Sequence, residues 1–153
     1  MKYADNDVKF TCIVNARAPV PAALNAVAHL MLGLGGTLPK EAVALLDYPL
    51  ADFDPCSRIS RYPVIILQAK NSSQLRSTFD QALAGGAKAN LFTQTMIGTS
   101  AAGQQAATRA TTLAEAEIVA LALAGESGIL DPLTRRYSLY RVTTPVMEAA
   151  HAS

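Results

Sequence analysis

The sequence predicts one α/β domain, a mainly parallel or mixed sheet with helices on both faces. Three observations predict it. Short β-rich apolar runs alternate with helical segments in the order β-α-(hairpin)-β-α-β-α-β-α, a pattern that folds as strands of one sheet with helices laid over it. The chain has 153 residues, 50% hydrophobic and 16% charged, which is long enough to bury a core and too apolar for disorder. No repeat or low-complexity linker divides it.

The elements follow in order. Residues 1–7 are polar and acidic and are expected to fray. Val8 to Asn15 is a β-rich run, the first strand. Pro19 and Pro21 suit the first turn of a helix that runs through Leu32 and is expected to stop at Gly33, Gly35 and Gly36. From Thr37 to Tyr62 the pattern is ambiguous. Glu41 to Leu46 reads as a short strand or a helical turn, Asp47-Tyr48-Pro49 and Asp52 to Pro55 are turn signals, and Arg58 to Arg61 reads as a returning edge strand. Pro63 to Ala69 is a continuous apolar run, as in a strand covered on both faces. Asn71, Ser72 and Ser73 offer cap oxygens to a second helix that Gly85 and Gly86 end. Ala89 to Thr93 is a strand, Thr99 to Thr111 a wet helix, and Ile118 to Ala124 the fourth main strand. Ser127 to Arg136 is a last helix that Pro132 restricts to its first turn or breaks. Tyr137 to Arg141 is extended, so the domain spans 8–141 and a tail covers 142–153.

Charge and composition narrow the partners. With 13 basic and 12 acidic side chains the net charge is +1, and a nucleic-acid partner is not expected, because phosphate binding calls for a basic face. Arg135, Arg136 and Arg141 read as arginines facing a helix C-terminus. The low charge density predicts apolar surface covered by a second copy, a homodimer. Cys12 reads as a small buried hydrophobe, and Cys56, beside Asp52 and Asp54, as an unactivated thiol. The N-terminus does not resemble a signal peptide, and Val20 to Leu38 reads as a buried core helix, not a membrane span, so the expected location is the cytoplasm.

Chemistry is harder to find. Gly33-Leu34-Gly35-Gly36 follows a helix, whereas a phosphate-cradling loop precedes one. Asp52 and Asp54 read as turn residues, and neither a metal site nor another cofactor is expected. Asn25 and His29 lie four apart on one helix face, expected to meet water or a subunit neighbour, with a shared cleft as the alternative. The candidate ligand-binding residues are Asn15 and Arg17 after the first strand, with Gln94, Thr95 and Thr99 after the third. Open α/β sheets place ligands at such strand ends. A small anionic molecule is the expected ligand, since the Arg17 guanidinium can make paired hydrogen bonds.

Several stretches carry a family resemblance: Thr11 to Asn15, Asn25 to His29, Tyr62 to Ile66, Leu91 to Met96, and Val119 to Gly125. They resemble a bacterial domain-of-unknown-function family, number two thousand, over about Val8 to Tyr140. That family is similar in fold to the type 2 peptidyl-tRNA hydrolases, which implies three layers and a mixed four-stranded sheet. The hydrolases open their first helix with a lysine-bearing turn, where this chain has Pro19 to Ala23, and carry an aspartate where this chain has Gln94. Glutamine cannot act as a general base. The resemblance therefore implies the fold with a non-catalytic binding or assembly role. A hydrolase of esters or amides with an altered site, drawing a base from Asp52, Asp54 or Glu117, is the alternative.

Overall fold

Strands pair where neighbouring apolar runs can share one sheet, and the computed structural model, which describes residues 3–142, shows how. In chain order the elements are β1 (Val8–Asn15), α1 (Val20–Thr37), α2 (Lys40–Val43), β2 (Leu45–Leu50), β3 (Phe53–Ser60), β4 (Val64–Ala69) and α3 (Ser72–Ala84). There follow β5 (Lys88–Thr93), a 3-10 turn (Gln94–Met96), α4 (Ala101–Arg109), β6 (Ile118–Glu126), α5 (Ser127–Thr134) and β7 (Ser138–Leu139). The main sheet has five strands in the order β5-β6-β1-β4-β7. β1 and β4 are parallel, and β6 is antiparallel to both β1 and β5.

Two corrections to the expected sheet follow. The strand beyond four is β7, whose residues Ser138 and Leu139 pair with Gln68 and Leu67 of β4. The hairpin of β2 and β3 does not join as an edge: it forms a separate two-stranded sheet.

Helix α1 also departs from expectation. It runs straight through Gly33, Gly35 and Gly36 to Thr37. Each glycine costs a helix roughly 1 kcal/mol, but Leu34 between them is buried against the sheet, and that packing holds the helix on. The stop is Pro39, which forces the preceding Leu38 into extended backbone. By length and apolar content α1 is long enough to cross a membrane. Here only Ala23, Ala26, Leu30 and Leu34 of it are buried. Helix α5 continues past Pro132 to Thr134.

The core lies on both sides of the sheet, and β6 shows why. Its Ala120, Ala122 and Ala124 face α1, with Phe10, Cys12, Val14 and Phe92. Its Leu121 and Leu123 face α3 and α5, with Ile13, Leu75 and Leu130. Side chains alternate along a strand, so the small row admits the Ala23–Ala26 face of α1 closely and the large row fills the opposite layer.

The ends of elements are held as their residues dictate. Asn71 Oδ1 accepts from Gln74 N at 3.0 Å to cap α3, and Ser100 Oγ accepts from Gly103 N at 3.1 Å to cap α4. Gly86, at φ 82°, makes the left-handed turn into β5. Arg136 does not serve a helix end. It donates to Thr78 Oγ1 at 2.8 Å, which lies 2.6 Å from the Tyr137 hydroxyl. Tyr137 in turn donates to the Gln74 carbonyl at 3.1 Å, so this chain of donors fastens the end of α5 to α3. Residues 3–7, expected to fray, are tied down by Tyr3 Oη donating to Arg61 O and Ser127 N donating to Asp7 O. The expected tail lies outside the described residues from 143 onward.

Candidate functional site

The ends of β1 and β5, which Asn15, Arg17, Gln94 and Thr95 close or follow, lie at one end of the sheet, and Thr99 comes later, in the loop before α4. β1 and β5 both finish where β6 begins: Thr93 pairs with Ile118, and Asn15 Nδ2 donates to Ile118 O at 2.9 Å. The individual side chains are occupied differently. Asn15 is 5% exposed, and its Oδ1 accepts from Arg17 N at 3.0 Å, so one end of its amide closes the turn after β1 and the other ties that turn to β6. Arg17, Gln94 and Thr99 are exposed. Thr95 Oγ1 sits in a hydroxyl relay, 2.7 Å from Thr93 Oγ1 and 2.8 Å from Thr108 Oγ1.

A cleft of about 520 Å³ opens beside them, and none of the five lines it. It lies between α1, edge strand β5 and the start of α4. Asn25 and His29 come from α1, Asn90 and Phe92 from β5, Met96 from the 3-10 turn, and Gln104 from α4. The alternative of a shared cleft for Asn25 and His29 is thus the observed arrangement. One helical turn places both over β5, and the strand alternation turns Asn90 and Phe92 towards them.

Two of the polar groups are held by backbone carbonyls and a third by ring stacking. The His29 ring stacks on Phe92 with centroids 6.0 Å apart and an interplanar angle of 27°. Asn90 Nδ2 donates to Leu30 O at 3.3 Å. That approach needs Gly33, since a Cβ there would fall 2.6 Å from Asn90 Nδ2. Gln104 Nε2 donates to Gly98 O at 3.2 Å. The amide nitrogens of Asn90 and Gln104 are therefore anchored, and their carbonyl oxygens remain able to accept. Among the described residues the lining contains no Lys, Arg, Asp or Glu. Asn90, Phe92, Met96 and Gln104 escaped sequence reasoning. The period-two pattern of β5 was the one signal for the first two.

The other chemical groups lie elsewhere. Burial pushes the Cys12 thiol up to about 12, and Cys56 is half-buried. Asp52 and Glu117 are exposed and outside the cleft lining. Hydrogen bonds from the Thr112 hydroxyl and then its N–H hold the Glu115 carboxyl below its ordinary value, in the turn before β6. Among the described residues, no three His, Cys, Asp or Glu side chains gather where they could hold a metal ion.

Fold and cleft together define a layered α/β protein with an amide-lined cleft beside an edge strand. The chain belongs to the family described as a protein of unknown function (DUF2000), which matches residues 8–141. A solved structure of a protein of unknown function from Agrobacterium tumefaciens strain C58 is similar to it, with 22% sequence identity and a TM-score of 0.74. The likeness, which is one of fold, covers 88% of this chain and 98% of that one. No curated protein matches the chain.

Proposed function

We propose that this protein is a non-catalytic binding domain that holds a small, uncharged polar ligand in the cleft between α1 and α4. The observation that carries the reading is the convergence of Asn25, Asn90 and Gln104 with His29 over Phe92 in one cleft. The carbonyl oxygens of Asn90 and Gln104 can accept, and the Asn25 carboxamide both donates and accepts, so the three match a ligand with its own amide, ureido or heterocyclic edge. The Phe92 ring and Met96 supply an apolar wall for its flat body. The arrangement of four long strands with helices on both faces supports a type 2 peptidyl-tRNA hydrolase-like architecture as part of the same reading.

Thermal-shift titration against neutral amides, ureas and nucleobases, beside phosphates and carboxylates, tests it. A ligand at a hundredfold excess over Kd stabilises the fold by about 2.7 kcal/mol. The shift is expected with a neutral class, lost in Asn25→Ala and retained in Arg17→Ala. A shift that appears only with anions, and that vanishes in Arg17→Ala, would replace the cleft with the strand-end site of Asn15, Arg17, Gln94, Thr95 and Thr99.

The hydrolase reading draws on one observation: among the described residues His29 is the sole ionisable side chain lining the cleft, placed to serve as a general base. Turnover of aminoacyl or peptidyl esters that His29→Gln abolishes would favour it. Equal rates in both proteins would remove it.

A further inference from the structure

We infer that a second binding site, for a small oxyanion (phosphate or a carboxylate), lies next to the cleft in a hollow on α4. The hollow has a volume of about 500 Å³ and is lined by Met96, Gln104, Gln105, Thr108 and Arg109. Met96 and Gln104 line the cleft too, so the two spaces share a wall. They differ in charge. Arg109 gives the hollow a cation, and among the described residues its lining holds no Asp or Glu. The one full charge there is positive.

An arginine in the last turn of a helix ordinarily serves the carbonyls left open there. In α4 other donors already serve them. Ala110 N donates to Ala106 O at 3.1 Å, Thr111 Oγ1 to Ala107 O at 2.9 Å, and Thr111 N to Thr108 O at 3.1 Å. Among the described residues the ion pairs are Lys9 with Asp131 and Arg58 with Asp47, so Arg109 has no carboxylate partner in that set. Its planar guanidinium keeps the donors that take a carboxylate or phosphate in paired hydrogen bonds.

Thr108 adds a second donor by proton count. The hydroxyls of Thr93, Thr95 and Thr108 are linked in a row at 2.7 Å and 2.8 Å. Each hydroxyl carries one proton, and two links use two of the three. No further partner of these hydroxyls is found among the described residues. Thr93 is buried, at 7% exposure, whereas Thr108 lines the hollow. Leaving a buried donor unused costs about 1–3 kcal/mol, which favours a row running from Thr93 through Thr95 to Thr108. The remaining proton is then Thr108's to donate. An oxyanion in the hollow accepts it together with the Arg109 N–H groups, and Gln105 offers an amide donor from the same helix.

Calorimetric titration of the full chain with inorganic phosphate and with acetate, at constant ionic strength so that screening is equal throughout, tests the site. Saturable binding of at least one anion is expected. Thr108→Val and Arg109→Gln should each weaken it roughly tenfold or more, the loss of a hydrogen bond to a charged group. Arg109 is exposed and lies outside the hydroxyl row, so Arg109→Gln reads the site even if Thr108→Val loses its fold. Arg135→Gln, at an exposed arginine after α5, should bind as the wild type does. Anion binding here needs no occupant in the cleft, so its failure and that of the neutral-ligand reading are told apart by separate titrations. No saturable binding of either anion, or wild-type binding in Arg109→Gln, overturns the proposal. Equal weakening in Arg135→Gln does so too, as does binding that Arg17→Ala abolishes and Arg109→Gln leaves whole.

Discussion

Strands β6 and β2 are both rich in leucine, yet they live in opposite surroundings. Ile118 to Ala124 of β6 is buried throughout, between β1 and β5 in the sheet plane and under helices on both faces. All of β2 is exposed, with β3 as its one neighbour in a sheet of two. The difference teaches that apolar content decides whether a residue gains from burial, while the number of elements that can reach it decides whether burial happens. In β6 that gain stabilises the folded chain itself. On β2 that gain is not taken up among the described residues.

Substitutions sharpen this contrast, and Leu121→Ala in β6 should have the largest effect. It removes a fully buried side chain and should cost about 2–5 kcal/mol in denaturant unfolding at any protein concentration. Thr78→Val breaks the link between Arg136, Tyr137 and α3 and should cost about 1–3 kcal/mol, with the loss read in the same unfolding curves. Cys12 adds a pH signature to the buried region. Its folded value of about 12 stands above the ordinary 9.0, so the unfolded chain loses its thiol proton first as pH rises. The stability it contributes is whole below pH 9.0 and is lost progressively as the pH rises from there towards about 12. A Cys12→Ala variant should lack that component of the decline.

Two glycines of α1 offer a smaller comparison. Gly35→Ala meets open space and should stabilise the chain by about 0.5–1 kcal/mol through helix propensity. Gly33→Ala, two residues nearer the N-terminus and beside the cleft, should gain less, because it displaces the Asn90 amide, and it should weaken ligand binding in titration. The smallest effect belongs to the hairpin. Leu50→Ala, at 63% exposure, should change monomer stability by no more than about 0.5 kcal/mol in dilute solution. A loss there as large as that of Leu121→Ala would erase the distinction between the two strands.

Much of the fold was legible because it rests on short-range pattern. The apolar runs of β1, β4, β5 and β6 and the caps at Asn71 and Gly85–Gly86 are local signals, and each element stands within a residue or two of its expected bounds. The glycines of α1 misled for a physical reason: propensity is a local quantity of roughly 1 kcal/mol per residue, and the burial of Leu34 outweighs it. The cleft was only half legible. Asn25 and His29 announced a shared helix face through their spacing of four. Asn90 and Gln104 carried no comparable sign, since an amide in a strand or an alanine-rich helix reads as surface.

What the sequence determined by itself was the order of strands and helices and which faces of them are apolar, because side-chain periodicity and turn chemistry act over a few residues. Only the tertiary structure decided that β7 extends the sheet, that the hairpin stands alone, and that α1, β5 and α4 enclose a cleft. Those outcomes depend on contacts between residues as distant as Leu30 and Asn90 or Gln68 and Ser138, which are set by how whole elements pack and not by any local pattern.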